Sequence, residues 1–315
     1  MFYFKQIQRK NLLFIFRSIS KINVKLFITL ICLAFLANSI YGNFDDLANQ
    51  VITFKGLLWI LVGILFSFLS IIINAYAWKL LINSIGCQSD KLNIIKIFLN
   101  TNIFKYLPGG IWHFISRYNT LRLELSTHKS VESILLEPLL MLVAGLIFIP
   151  FGFFNVIIYI ICWSSTLILA TGFREFIIKR LKSMKGSIFT DNDKLNANQY
   201  FSSKIFYPYK ALFVEIIFIL LRFIGFLCCL NAFSIGSLIS KAYLISSFSF
   251  AWVIGLIVPA APGGLGVFES VILFGLGSQL PEAPLLASLL FYRLVSTVSD
   301  VFAALVYPVR KLFKV

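Results

Sequence analysis

Long apolar runs alternate along the chain with short segments rich in lysine and arginine. The runs cover 24–41, 56–82, 133–152, 154–173, 211–233, 243–260 and 285–309. Each reaches or exceeds the roughly 18 residues needed to carry an α-helix across the hydrocarbon core of a bilayer. They are continuous and rich in Leu, Ile and Phe rather than short and alternating, so helices are expected and a barrel is not. Two further apolar stretches are too short to span. Ile94–Leu107 is stopped by Pro108-Gly109-Gly110 and resumes only as Ile111–Ile115 before Arg117 and Arg122. Val267–Leu280 lies between Pro262-Gly263-Gly264-Leu265-Gly266 and Pro281. The pattern predicts an all-α, polytopic membrane bundle of about eight helical segments. Two of its regions are interrupted at PGG and are re-entrant or half-helical, and both termini are cytoplasmic.

Composition supports that reading. The 315 residues are 59% hydrophobic and only 13% charged, with mean hydropathy +0.90; a soluble domain carries about 25% charged residues. The formal net charge of +15 does not indicate nucleic acid, because the basic residues fall in the short segments between apolar runs. That distribution is the positive-inside signal, with added attraction to anionic lipid. Asp45 and Asp46 place the turn 42–49 outside. Lys79, Lys91, the segment Leu123–Lys129 and the loop 174–210 belong inside, and Lys241 is a mild exception. The expected organisation is an amphipathic basic segment over 1–23, lying on the cytoplasmic face, one transmembrane domain over 24–309, and a basic tail over 310–315. Trp59 and Trp78, near the ends of the second span, are expected as interfacial anchors. The positive-inside pattern implies a multi-pass protein of the cell (inner) membrane.

Cys32, Cys87, Cys162, Cys228 and Cys229 form no CxxC pair, and the only histidines are His113 and His128. Neither a disulfide framework nor a metal site is expected, and no cofactor is called for. No GxxxxGK[ST] motif occurs, so ATP is not expected to be hydrolysed by this chain.

Pro108-Gly109-Gly110-Ile111-Trp112-His113-Phe114 matches Pro262-Gly263-Gly264-Leu265-Gly266-Val267-Phe268 at the PGG, the branched apolar residue and the phenylalanine. Paired interrupted segments in the two halves of a membrane chain point to a transport site; they also serve as plain Pro/Gly turns between helices. Consecutive glycines let backbone N–H groups approach a ligand, and the helix that follows presents its positive end. At a membrane surface the obvious anion is a lipid phosphate, with Arg117 placed to add bidentate contacts. Trp112 fits headgroup contact or simple anchoring at the interface, and His113 can face water.

Glu137, Glu215, Arg222, Glu269, Arg293 and Asp300 fall within or near apolar spans, where an unpaired charge costs a few kcal/mol. Glu215 and Arg222, like Arg293 and Asp300, stand seven residues apart, about 10 Å of helical rise. Partners on other helices are therefore expected, such as Arg293 with Glu269 or Arg222 with Glu137. Glu269 also suits the first turn of its helix, as a cap or internal counter-ion. Helix-to-helix glue is the plain alternative for the set.

The motif Tyr106-Leu107-Pro108-Gly109-Gly110-Ile111-Trp112 followed by Arg117, and Pro262 through Glu269 with Arg293 in the last span, resemble the signatures of flippase-like membrane proteins related to the transmembrane region of lysylphosphatidylglycerol synthases. The acidic Glu137 matches as well, and the similarity runs from about Lys25 to Tyr307. Ser116 and Phe268 depart from the pattern. The resemblance is to the lipid-handling membrane part alone, and no soluble aminoacyltransferase domain is expected. It implies binding, and translocation, of an anionic phospholipid or lipid-linked intermediate. The headgroup-binding candidates are Pro108, Gly109, Gly110, Trp112, Arg117, Pro262, Gly263, Gly264, Gly266, Glu269 and Arg293, with no catalytic residue. The other readings are a membrane-embedded lipid-modifying transferase and an accessory subunit of a cell-envelope biosynthesis complex. Homo-oligomers and an envelope-biosynthesis partner remain open as assemblies.

Overall fold

The computed structural model describes residues 38, 41–42, 44–48, 50, 52–87, 92–107, 110–152, 155–170, 207–258 and 266–306. The basic segment 1–23, nearly all of the first span, the loop 174–210 up to its last four residues and the tail 310–315 lie outside them. So do Pro108, Gly109, Pro262, Gly263 and Gly264.

The described residues form ten α-helices and short 3-10 turns, and no strand. After the short α1 (Phe44–Ala48) come α2 (Phe54–Ser84), α3 (Ile94–Asn102), α4 (Trp112–Leu121) and α5 (Thr127–Leu146). They are followed by α6 (Val156–Ser164), α7 (Tyr209–Ala232), α8 (Lys241–Ile257), α9 (Val267–Leu276) and α10 (Glu282–Leu305). Four are long and apolar enough to cross a membrane: α2, α7, α10, and α5 taken with the turn that follows it to Gly152. The 31 residues of α2 reach about 46 Å at 1.5 Å per residue, beyond the hydrocarbon thickness. Large side chains such as Leu61, Leu65, Ile160, Phe213, Phe274 and Phe302 are exposed on the outer faces, as lipid-facing surface requires.

Local signals set the helix ends. Thr53 caps α2 by accepting from the Gly56 N–H at 3.1 Å, and the side chains of Asn93, Ser126, Asn155 and Ser240 cap α3, α5, α6 and α8 in the same way. The fourth expected span is shorter than its apolar run. The hydroxyls of Ser164, Ser165 and Thr166 donate to carbonyls three residues back, and the chain tightens there into a 3-10 turn over Ser165–Leu169. The sixth also ends early, at Ile257 rather than Ala260. Val258 precedes Pro259 and has left the helical region, at φ −97° and ψ 82°.

The bundle is built on α2 against α7, joined through small residues. A Cβ on Gly56 would sit 2.8 Å from the Ala232 carbonyl oxygen, and one on Gly225 would sit 2.6 Å from Ser67 Oγ. Helices in lipid gain little from burying apolar area against each other, so close backbone approach and dispersion hold them together. α10 packs on both of these helices, α5 and α8 pack on each other, and α9 lies against α8. The short α3 and α4 fill the space beside α2, α5 and α10. Trp78 is not an interfacial anchor: it is 1% exposed and packs on Phe98 inside the bundle.

Candidate functional site

Among the described residues, three charge clusters sit inside the bundle. The first centres on Asp300, which is completely buried on α10. Lys105 Nζ lies 2.8 Å from its Oδ2, the Tyr106 hydroxyl donates to the same oxygen at 2.5 Å, and Asn102 Nδ2 donates to Oδ1 at 2.9 Å. These three donors come from the end of α3 and the 3-10 turn after it. Arg222 of α7 reaches Oδ1 only at 3.5 Å and donates to Ser296 Oγ at 2.9 Å.

The second cluster joins α4 to α5. Arg117, 1% exposed, pairs with Glu137 and donates from Nε to Thr101 Oγ1 at 3.1 Å. Its guanidinium lies over Phe98 at 3.9 Å and Trp78 at 5.0 Å, contacts that favour a cation out of water. Glu137 precedes Pro138, the one proline inside α5. That proline lacks an N–H to donate to the Ile134 carbonyl.

The third cluster joins α9 to α10. Glu269 accepts from the Gly266 N–H through Oε2 at 2.8 Å, capping α9. Through Oε1 it receives Arg293 Nε at 2.8 Å and NH2 at 2.6 Å. Gly266 has φ +85° and Gly110, two residues before α4, has φ +65°. Each short helix after a PGG motif is thus entered through a glycine in a conformation that other residues rarely adopt.

The sequence argument about partners is right for Arg293 with Glu269 and wrong for Arg222 with Glu137. Glu137 is taken by Arg117 from α4, and Arg222 turns to Asp300 and Ser296. Arg117 is not a surface residue: it is 1% exposed, with Nε on Thr101 and NH1 on Glu137. Glu215 is 1% exposed with Oε1 unpartnered, on the same helix as Arg222 but outside these clusters. Trp112 is 48% exposed at the start of α4. His113 is half-buried, with its Nδ1 buried without a partner and its ring beside that of Phe114. Burial, then Arg117 and Lys105 nearby, hold its pKa down at about 3, so the imidazole is neutral at ordinary pH.

The clusters border one cavity of about 300 Å³. Lys105, Arg117, Arg222 and Arg293 line it, with Glu137, Asn74, Gly110 and His113. Aromatic and aliphatic side chains complete the wall, among them Phe98, Phe114, Phe218, Trp252, Phe268 and Tyr292. Lys105, Asn102, Trp252 and Tyr292 were not singled out from the sequence. A lysine near the end of the short apolar stretch Ile94–Leu107 was the one available signal. Among the described residues no group of three His, Cys, Asp or Glu side chains is placed to hold a metal ion.

No curated protein matches the sequence. A family model described as the lysylphosphatidylglycerol synthase TM region matches residues 22–304. With its long apolar helices, the chain is therefore a multi-pass integral membrane protein and belongs to the lysylphosphatidylglycerol synthase TM region family.

Proposed function

We propose that this protein binds a phospholipid or lipid-linked intermediate in the central cavity and moves it across the cell (inner) membrane. The observation that carries the reading is the composition of the cavity wall. Four cationic side chains and a set of aromatic and aliphatic ones line the same space between the helices, which suits a molecule with an anionic head and an apolar body. At about 300 Å³ the cavity is at the small end of ligand sites. It takes a headgroup and leaves the acyl chains among the helices or in the bilayer. The two short helices that follow the PGG motifs, α4 and α9, support the reading, because paired interrupted segments in the halves of a membrane chain point to a transport site. The reading assigns no catalytic residue and no cofactor, and it draws the driving force from outside the chain.

The test is lipid movement in reconstituted vesicles, followed by quenching of a fluorescent phospholipid analogue from one side. Wild-type protein should speed equilibration between leaflets. Glu269→Ala and Arg293→Ala should abolish it while leaving the helical content and the elution volume in detergent unchanged. Movement at the wild-type rate in both variants sinks the assignment.

A further inference from the structure

The four side chains around Asp300 divide between its two oxygens. Lys105 Nζ and the Tyr106 hydroxyl both meet Oδ2, at 2.8 and 2.5 Å. Asn102 Nδ2 and Arg222 both meet Oδ1, at 2.9 and 3.5 Å. The division follows the backbone. Asn102 ends α3, whose residues 97–102 are all buried, and Arg222 sits on α7 with its side chain 3% exposed. Lys105 and Tyr106 instead belong to the 3-10 turn Ile103–Tyr106, in which no residue is buried. Beyond the turn, Leu107 is extended, at φ −72° and ψ 145°, and exposed. The turn is tied to α10 by its two contacts on Oδ2, and Thr297 of the same helix also hydrogen-bonds the Tyr106 hydroxyl.

Hydrogen bonds in a 3-10 turn are poorer than those in an α-helix, and an element with few buried contacts opens locally at low cost. The same turn lines the cavity through Lys105 and Tyr106. We propose that Ile103–Tyr106 is a gate on the cavity, latched by Oδ2 of Asp300, and that Arg222 takes over the carboxylate when Lys105 leaves. A carboxylate buried between membrane helices is costly without a cation, so a latch resting on Lys105 alone would resist opening. Arg222 removes that obstacle, because it already stands 3.5 Å from Oδ1. Exposure decides which cation leaves. The Lys105 side chain is 24% exposed and can follow the turn, whereas that of Arg222, at 3%, stays in the bundle. Asn102 stays with it, so opening costs Asp300 the two donors on Oδ2 and keeps the two on Oδ1. The gate goes beyond the lipid reading, because the latch is independent of what the cavity admits.

The experiment is hydrogen–deuterium exchange of the full-length protein in detergent, read by mass spectrometry over residues 103–107, with α2 and α7 as controls. Exchange there reports the opening equilibrium of the turn. Each of Lys105→Met and Tyr106→Phe removes a charge-assisted contact and should speed exchange over 103–107 by about 10-fold or more, with both controls unchanged. Arg222→Gln should instead slow it about 10-fold, since opening would then leave Asp300 without a cation. An Arg222 that merely props the closed bundle predicts the opposite sign. Wild-type exchange in either Lys105→Met or Tyr106→Phe, or a rise shared equally by α2 and α7, overturns the latch. Unchanged or faster exchange in Arg222→Gln, in the turn or across the bundle, overturns the takeover. If the exchange pattern holds while Glu269→Ala and Arg293→Ala move lipid at the wild-type rate, the gate stands and the lipid reading falls. If those two variants lose lipid movement but the exchange pattern fails, the lipid reading stands and the gate falls.

Discussion

Replacing Glu137 by glutamine isolates the energetics of the Arg117 cluster. The substitution keeps the shape of the side chain and leaves a carbonyl to accept from Arg117, but it removes the charge. Arg117 is 1% exposed and cannot turn to water. It would keep Thr101 and the faces of Phe98 and Trp78, none of which carries a negative charge. Breaking a buried pair by removing one partner costs about 3–5 kcal/mol. The surviving hydrogen bond places Glu137→Gln near the lower figure, about 3 kcal/mol. At roughly 2 °C per kcal/mol for a large domain, Tm should fall by about 6 °C. The assay is thermal unfolding in detergent, run as a double-mutant cycle with Arg117→Met. The double variant removes both charges and leaves a flexible apolar side chain against the two rings. Its loss should therefore be at least about 2 kcal/mol smaller than the sum of the single losses. Additive losses, or an unchanged Tm in Glu137→Gln, would refute the claim that the pair acts as a unit buried away from water.

Gly225→Val should destabilise the contact between α2 and α7 by about 1–3 kcal/mol, because a Cβ there meets Ser67 Oγ at 2.6 Å. Ser67→Gly in the same chain should recover part of the lost Tm, and no recovery would mean that the close approach is not the cause. His113, held at about 3, contributes stability that is complete above its unfolded pKa near 6.5 and is lost as pH falls from there toward 3. Wild type should thus lose about 2 kcal/mol more than His113→Gln between pH 7 and pH 5. Equal losses, read as Tm at the two pH values, would show that the imidazole is not buried in the neutral form.

Much of the candidate site was legible in part. Glu137, Arg222, Glu269, Arg293 and Asp300 stand out because an ionisable residue in an apolar run is conspicuous, and each borders the cavity or pairs with a residue that does. Tyr292 and Trp252 were not legible. Aromatic residues are ordinary in membrane helices, and only their unpartnered polar atoms distinguish them. Trp78 misled for the same reason: near the end of a span, a tryptophan reads as an anchor until its neighbours are known.

The sequence by itself determined the helical character of the described apolar runs, four of them long enough to cross a membrane, and the two short apolar segments beside the PGG motifs. These follow from run length, hydropathy and the positions of proline and glycine, which are properties of contiguous residues. It also carried the likeness to the family, whose model matches residues 22–304. The tertiary structure alone decided that Asp300 gathers Asn102 and Tyr106 from 198 and 194 residues away, that Arg117 rather than Arg222 neutralises Glu137, and that Arg222 is left facing a cavity. In the low dielectric between helices, each carboxylate is claimed by the cations that packing brings nearest. Distance along the chain carries almost no information about which those are.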